Sequence, residues 1–319
     1  MGKRELDRVM QAIGELSWTQ RREVLQRLKA VQAGDEAQAV IEQRLQVLRV
    51  CPHCSGAHVV RHGMASGLQR YRCRGCGKTF NALTRTPLAR LRLRQRWIEQ
   101  SQALIDGLSI TQVATRLEVA RSTAFRWRHR FLSLPQHVRA GRLEGIVEAD
   151  EAGILKSCKG QPARRNASCR PARGRGGRAC KRGLSDEHDI VLVVRDRWGA
   201  CTDQIVLGQD AAHLAAVLQP VLAVDAVLCT DGSAALARAA RHIGVEHHAI
   251  NVSAGRHALG AWHINNVNGY HARLKNWLRR FNGVASSYLK HYLGWFRALE
   301  RFRLPALTPP AMLALAVGI

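Results

Sequence analysis

Cys51-Pro-His-Cys54, followed after eighteen residues by Cys73-Arg-Gly-Cys76, constrains this chain more than any other feature. Each Cys-x-x-Cys knuckle turns two thiolates toward one point. Two knuckles supply the four soft ligands that Zn²⁺ takes in a tetrahedron. Gly75 and Gly77 permit the second tight turn. The interval from Val59 to Tyr71 has the length and alternation of a β-hairpin, so the spacing predicts a zinc ribbon over residues 49–82. Four thiolates close the coordination sphere, which makes the expected site structural and not catalytic. A thioredoxin-like redox role fits a single Cys-x-x-Cys and not two at this spacing. His53, His58 and His62 are alternative ligands, read instead as loop residues facing a polyanion. Nine cysteines could also mean disulfides, but four in two paired knuckles read better as zinc in a reducing cytosol.

Charge narrows the partner. Lys and Arg outnumber Asp and Glu by 49 to 24, giving +25 and a sequence pI near 11.0. Such a surface collects polyanions, and nucleic acid is the default. An anionic membrane is the rival, but no apolar run is long enough to span a bilayer and no signal peptide opens the chain. The apolar stretch Pro310 to Ile319 is too short to span. The expectation is a cytoplasmic, nucleoid-associated protein with no membrane role. Its 319 residues, 46% of them hydrophobic, allow two or three domains with real cores.

Residues 1–48 read as three short amphipathic helices, with Ser17 capping the second and Gly34-Asp35 separating the third. They serve as packing or as a dimerising arm, and packing is the preferred reading. Residues 90–133 predict a helix-turn-helix. Trp97, Ile98, Ala103, Leu104 and Ile105 stripe the first helix, and Ser109 caps the second. The third, Arg121-Ser-Thr-Ala-Phe-Arg-Trp-Arg-His-Arg, packs through Ala124, Phe125 and Trp127. That leaves Arg121, Ser122, Thr123, Arg126, Arg128 and Arg130 for bases and phosphates. A basic helical hairpin without a DNA role is the bland alternative.

From residue 143 strands alternate with helices up to about residue 300. Gly145 to Glu151, Asp189 to Arg195 and Ala200 to Leu207 are strands. A helix, the strand Ala226 to Asp231, a helix, a short strand Val245 to Ile250 and a long closing helix from Asn265 follow. This is the order of a ribonuclease-H-like domain, in which the first and fourth strands lie side by side. Asp150 and Asp231, 81 positions apart, should therefore converge. Two close carboxylates repel unless a cation lies between them, as a Mg²⁺ or Mn²⁺ pair would. Either Asp alone could be a turn or cap residue.

The third ligand should sit on the closing helix, yet no Asp or Glu occurs between His247 and Leu299. Asn268, His271, Lys275 and Arg279 share one face of that helix by spacing. Asn268 can offer a neutral carbonyl oxygen to a hard cation, and Lys275 and Arg279 can hold phosphates. A basic solvated face with an incidental Asn is the alternative.

The motifs Val-Glu-Ala-Asp150-Glu, Leu-Cys-Thr-Asp231-Gly and His-Ile-Asn-Asn-Val-Asn268 with Leu274-Lys275 resemble those of bacterial insertion-sequence transposases. These are similar to the DDE superfamily with a retroviral-integrase-like catalytic domain. Within it, the chain resembles an ISXO2-like subgroup that carries a zinc ribbon and has Asn in place of the third Glu, followed by Lys. The resemblance implies transposition and DNA recombination. Terminal inverted repeats are bound, the ends are hydrolysed, and the freed 3′-hydroxyls are transferred to target DNA. It implies Asp150, Asp231 and Asn268 as ligands of catalytic Mg²⁺ or Mn²⁺, with Lys275 beside them. Holding two ends implies a homodimer or higher oligomer on DNA.

The expected fold class is multidomain α+β: N-terminal helices, zinc ribbon, helix-turn-helix, then the α/β ribonuclease-H-like domain over 143–300 and a tail over 301–319. A basic insertion, Lys156 to Gly183, interrupts that domain with ten Lys or Arg and no acid. It reads as a flexible DNA clamp, with Arg173, Arg175, Lys181 and Arg182 as contacts. Cys158, Cys169 and Cys180 within it read as free thiols. Two other readings share most of these features: a catalytically inactive transposase-derived regulator, and a nuclease that cuts without joining.

Overall fold

The computed structural model describes residues 2–47, 49–159, 179–181, 183–250, 258–301 and 307–319. The chain divides into two compact units, Met1–Leu134 with Leu307–Ile319, and Pro135–Ala306.

The first unit opens with α1 (Lys3–Glu15) and α2 (Trp18–Val47). The expected break at Gly34-Asp35 does not occur, and α2 is one helix of 30 residues. A helical Gly costs about 1 kcal/mol relative to Ala. Burial of Ala37, Val40, Ile41 and Leu45 just beyond it outweighs that cost. Packing holds only for this second half: α1 buries nothing, and Met10, Leu25, Leu28 and Val31 are exposed.

The ribbon has β1 (Val59–Ala65), β2 (Leu68–Cys73) and β3 (Thr79–Phe80), all antiparallel. Ala65 pairs with Leu68, so Ser66-Gly67 is a two-residue hairpin loop with both φ angles positive, at 52° and 72°. That hand matches the strand twist.

Next come α3 (Trp97–Ile105), α4 (Ile110–Arg116) and α5 (Arg121–Phe131). Ser109 and Gln112 form a reciprocal capping box at the start of α4. Trp97 meets Phe131 edge to face at 5.9 Å. The final helix, α10 (Pro309–Val317), returns to pack on α2, α3 and α5. Its Met312, Leu313, Ala316 and Val317 are buried.

The second unit is built on a five-stranded sheet of β4 (Ile146–Leu155), β5 (His188–Asp196), β6 (Cys201–Val206), β7 (Val227–Thr230) and β8 (Glu246–Ala249). Their spatial order is β6-β5-β4-β7-β8, antiparallel through β4 and parallel beyond it. This is the ribonuclease-H-like order that the sequence predicts. Two helices, α6 (Ala211–Leu218) and α7 (Ala234–Ile243), cover one face through a core of Val147, Ala149, Leu192, Val194 and Leu228.

The other face carries α8 (Asn265–Arg279) and α9 (Leu289–Arg301). Trp277, Phe281, Tyr292 and Trp295 lock these two helices, with ring centroids 4.9–6.1 Å apart. Beneath them the fully buried Asp203 of β6 accepts from Tyr270 Oη at 2.6 Å and from the Arg297 guanidinium. Gly294 allows the turn at Gln136 to lie against α9, since a Cβ there would come within 2.4 Å of its backbone.

Candidate active site

Alternation along β4 sends Val147 and Ala149 into the α6–α7 core and sends Glu148 and Asp150 toward α8. The parallel register with β7 pairs Ile146 with Val227 and Glu148 with Cys229. The same offset brings Asp150 level with Asp231, the first residue past the end of β7. Asp231 also serves its turn, its Oδ1 accepting from Ser233 N–H at 2.8 Å.

The two carboxylates sense each other. Burial first and the Asp231 charge second push Asp150 up to about 6, against the lowering effects of Glu151 N–H on its Oδ1 and of Lys275. Glu151 is pushed up to about 7 by burial, then by Asp150 and Asp231. From α8, His271 brings Nδ1 to 3.6 Å from Asp150 Oδ2. Burial, then Lys275, depress His271 to about 4, so its ring is neutral near neutral pH and the contact is not an ion pair. Asp150, Asp231, His271 and Lys275 are thus brought together.

A second carboxylate fixes α8 against β4. Glu148 is fully buried and accepts from the backbone N–H groups of Asn266 and Val267 at 2.8 and 3.0 Å and from Asn266 Nδ2 at 2.8 Å. Arg197 pairs with it at 2.9 Å, and His263 Nδ1 lies 3.3 Å away. The helix therefore meets the strand at two points, Asn266 to Glu148 and His271 to Asp150. Five helical residues rise about 7.5 Å and two strand residues about 6.6 Å, so helix and strand run nearly in step. Asn268 lies between the two points, exposed, with no side-chain hydrogen bond among the described residues. Lys275 and Arg279 are exposed on the following turns. Glu300 takes no part: it pairs with Arg273 at 2.6 Å and Arg195 at 3.7 Å.

In the ribbon, Cys51, Cys54, Cys73 and Cys76 present sulfurs all within 4.8 Å of one another. Cys51 and Cys76 Sγ are 3.7 Å apart, and Cys54 and Cys73 Sγ 3.6 Å. A tetrahedral ion with Zn–S bonds of about 2.3 Å sets its sulfurs about 3.8 Å apart. The cluster therefore fits a structural zinc ion.

Comparison with known proteins agrees with this geometry. Residues 142–297 match the family described as ISXO2-like transposase domain, and residues 88–146 match the homeodomain-like domain. A relative described as an uncharacterized protein in transposable element ISH50, from Halobacterium salinarum, is 27% identical over 261 residues, covering 80% of this chain and 86% of the relative.

In the helix-turn-helix that precedes the matched region, α5 exposes Arg121, Ser122 and Arg126 and half-exposes Thr123. Two expectations fail on it. Arg128 is buried, 1% exposed, and its guanidinium donates to the Leu108 carbonyl, so it cannot reach DNA without leaving the core. Phe125, expected to pack inward, is 40% exposed. Of the basic insertion, Lys181 is exposed, whereas Arg173, Arg175, Arg182 and Cys169 lie outside the described residues. Cys158 is half-buried and Cys180 exposed. His247 bonds Thr230 Oγ1 at 2.8 Å, and His248 stacks on Trp262 with centroids 4.1 Å apart.

The residue that sequence reasoning missed is Glu148. Its one sequence signal is an acid two positions before Asp150 on a strand with a buried face, which places both on one side.

Proposed function

We propose that this protein is a metal-dependent DNA transposase that hydrolyses phosphodiester bonds at the ends of its element and transfers the 3′-hydroxyl ends to target DNA. The observation that carries this reading is the level placement of Asp150 and Asp231 on adjacent parallel strands, with His271 and Lys275 of α8 alongside Asp150. Asp150 held up near 6 partly by Asp231 is a pair whose charge a cation would relieve, and carboxylate and amide oxygens suit a hard one. Asp150, Asp231 and the Asn268 carbonyl would hold Mg²⁺ or Mn²⁺. Such ions, when bound, polarise the phosphate and activate water or a 3′-hydroxyl for in-line attack.

The remaining residues bind and orient. Lys275 and Arg279 neutralise the phosphates beside the reacting bond, and neutral His271 keeps a second positive charge away from Asp150. Glu148 holds α8 in register. The four ribbon thiolates hold structural Zn²⁺, and the exposed face of α5 reads the terminal repeats. Synapsis of two ends requires at least two copies, and the exposed apolar residues of α1 and early α2 offer a surface for the second. No helix among the described residues is long and apolar enough to cross a membrane. The place of action is the chromosome in the cytoplasm.

The test is cleavage of labelled DNA carrying the element's own ends, with Mg²⁺ or Mn²⁺. Nicking by the wild type and loss in both Asp231→Ala and Asn268→Ala support the site. Loss in Asp231→Ala alone transfers the third role elsewhere, with Glu151 the neighbour to examine. Binding without cleavage under either metal supports a regulator instead.

A further inference from the structure

The described surface of the first unit contains a cleft of about 1340 Å³ that the reading above does not use. It opens between the middle of α2, the turn of the ribbon hairpin, residues 81–95 and one face of α5. Its walls carry Arg85, Arg90, Arg92, Arg94, Arg126 and Arg130, with Asp35 as the only carboxylate among the lining residues. None of the six arginines pairs with an acid among the described residues.

The segment that carries four of them is built rather than loose. Arg130 donates to the carbonyls of Pro87 at 2.7 Å and Ala89 at 3.4 Å, fastening the segment to α5. Arg94 donates to the Ser66 carbonyl at the ribbon turn, and Arg44 donates to Ala82 O at 3.0 Å. Within this segment Arg85, Arg90 and Leu93 hold φ of 62°, 63° and 58°, a hand that side chains with a Cβ avoid. Backbone held this way by its surroundings is found where a site is preorganised. Arg85, Arg90 and Arg92 remain exposed.

We propose that this cleft binds the phosphodiester backbone of duplex DNA, as a second contact beside the recognition helix. Arg126 argues for the duplex in particular. It belongs both to the exposed face of α5 and to the cleft wall, so DNA seated on that helix carries its backbone past Arg90 and Arg92. Immediately N-terminal to a helix-turn-helix is also where an arginine-bearing arm can follow DNA away from the major groove. Phosphate contacts position the duplex without reading it. The inference rests on DNA binding by the helix-turn-helix and not on the cleavage chemistry.

The test measures binding of the full chain to two short labelled duplexes, one with the element's terminal sequence and one shuffled, over a salt series. The variant Arg85→Asn with Arg90→Asn and Arg92→Gln removes three charges, and Asn tolerates the left-handed backbone at the first two positions. The slope of log K against log salt should fall by about 3, near 0.9 per phosphate, with equal loss on both duplexes. Replacing the three by Lys should restore the slope. Arg238→Ser with Arg241→Ser, on α7, is the control for bulk charge and should change the slope far less per charge.

An unchanged slope in the triple variant overturns the proposal. So does loss confined to the terminal sequence, or an equal effect per charge in the α7 control. Should the triple variant melt early, Arg90→Glu alone carries the test at an exposed position, and wild-type affinity there overturns the proposal. Because the readout is binding, its failure leaves the cleavage test untouched.

Discussion

Replacing Asp150 by Asn should stabilise the metal-free protein at neutral pH while abolishing its response to divalent cations. Burial and Asp231 raise Asp150 from 3.8 to about 6. The folded state therefore binds this proton more tightly than the unfolded chain does. The stability that comes with the protonated form is fully present below pH of about 4 and is lost as pH rises through about 6. Two units at about 1.4 kcal/mol each make the ionised carboxylate worth up to about 3 kcal/mol of destabilisation at pH 7.5. Asn is isosteric, keeps an acceptor for Glu151 N–H, and removes the charge. At roughly 2–4 °C per kcal/mol for a domain of this size, the variant should melt about 5–10 °C above wild type in chelator.

The assay is thermal unfolding of the full chain at pH 4 and pH 7.5, in EDTA and in Mn²⁺. At pH 4 in EDTA the two proteins should nearly coincide. At pH 7.5 Mn²⁺ should raise the wild type and leave Asp150→Asn where it was. A variant that melts with or below the wild type at pH 7.5 in EDTA would refute the reasoning, because the carboxylate would then carry no excess repulsion.

Other outcomes follow from the same contacts. Glu148→Gln breaks a buried ion pair and weakens the cap on α8, so denaturant unfolding should show a loss of about 3–5 kcal/mol, toward the lower end because Arg197 keeps partial exposure. An unchanged midpoint would mean that the clamp does not hold the helix. Purified protein should carry one zinc per chain by elemental analysis, and Cys73→Ser should lose it together with the ordered hairpin that Cys73 ends. Arg126→Ala should lower the salt slope of duplex binding by about 1. Arg128→Ala should leave that slope alone and cost about 1–3 kcal/mol of stability through its lost bond to Leu108.

Where the sequence was legible, the signal was local. Ser109 with Gln112 announces the start of α4, Ser66-Gly67 sits in the short interval between two strands, and the knuckle spacing fixes the thiol cluster. The strand order follows from alternation and element lengths, and it brings Asp150 level with Asp231. The burial of Arg128 is legible in the helical pattern. Ala124, Trp127, Arg128 and Phe131 are buried at steps of three, one and three, which is one face of a helix, and Phe125 falls off that face. The continuity of α2 through Gly34 was less accessible, because it depends on what packs beside the next turn. Glu148 was not readable at all in its role, since its partners lie 118 and 119 positions away in Asn266 and Val267.

That distant partnership accounts for the oddest feature of α8. A helix N-terminus leaves several N–H groups unpaired and carries a partial positive charge, and an acid of its own usually answers both. The first turn of α8 has none, and the exposed residues that follow on one face are Asn268, Lys275 and Arg279. Glu148 supplies the missing carboxylate from the neighbouring strand, buried where its charge is spent on two N–H groups and Arg197. The exposed face of the helix can then stay free of negative charge that would repel phosphates. It can also offer a neutral oxygen at Asn268, one turn before the His271 that meets Asp150, which Asp231 and Glu151 already crowd. A third carboxylate at that position would push Asp150 higher still. The neutral residue on α8 and the buried acid on β4 are two parts of one electrostatic arrangement.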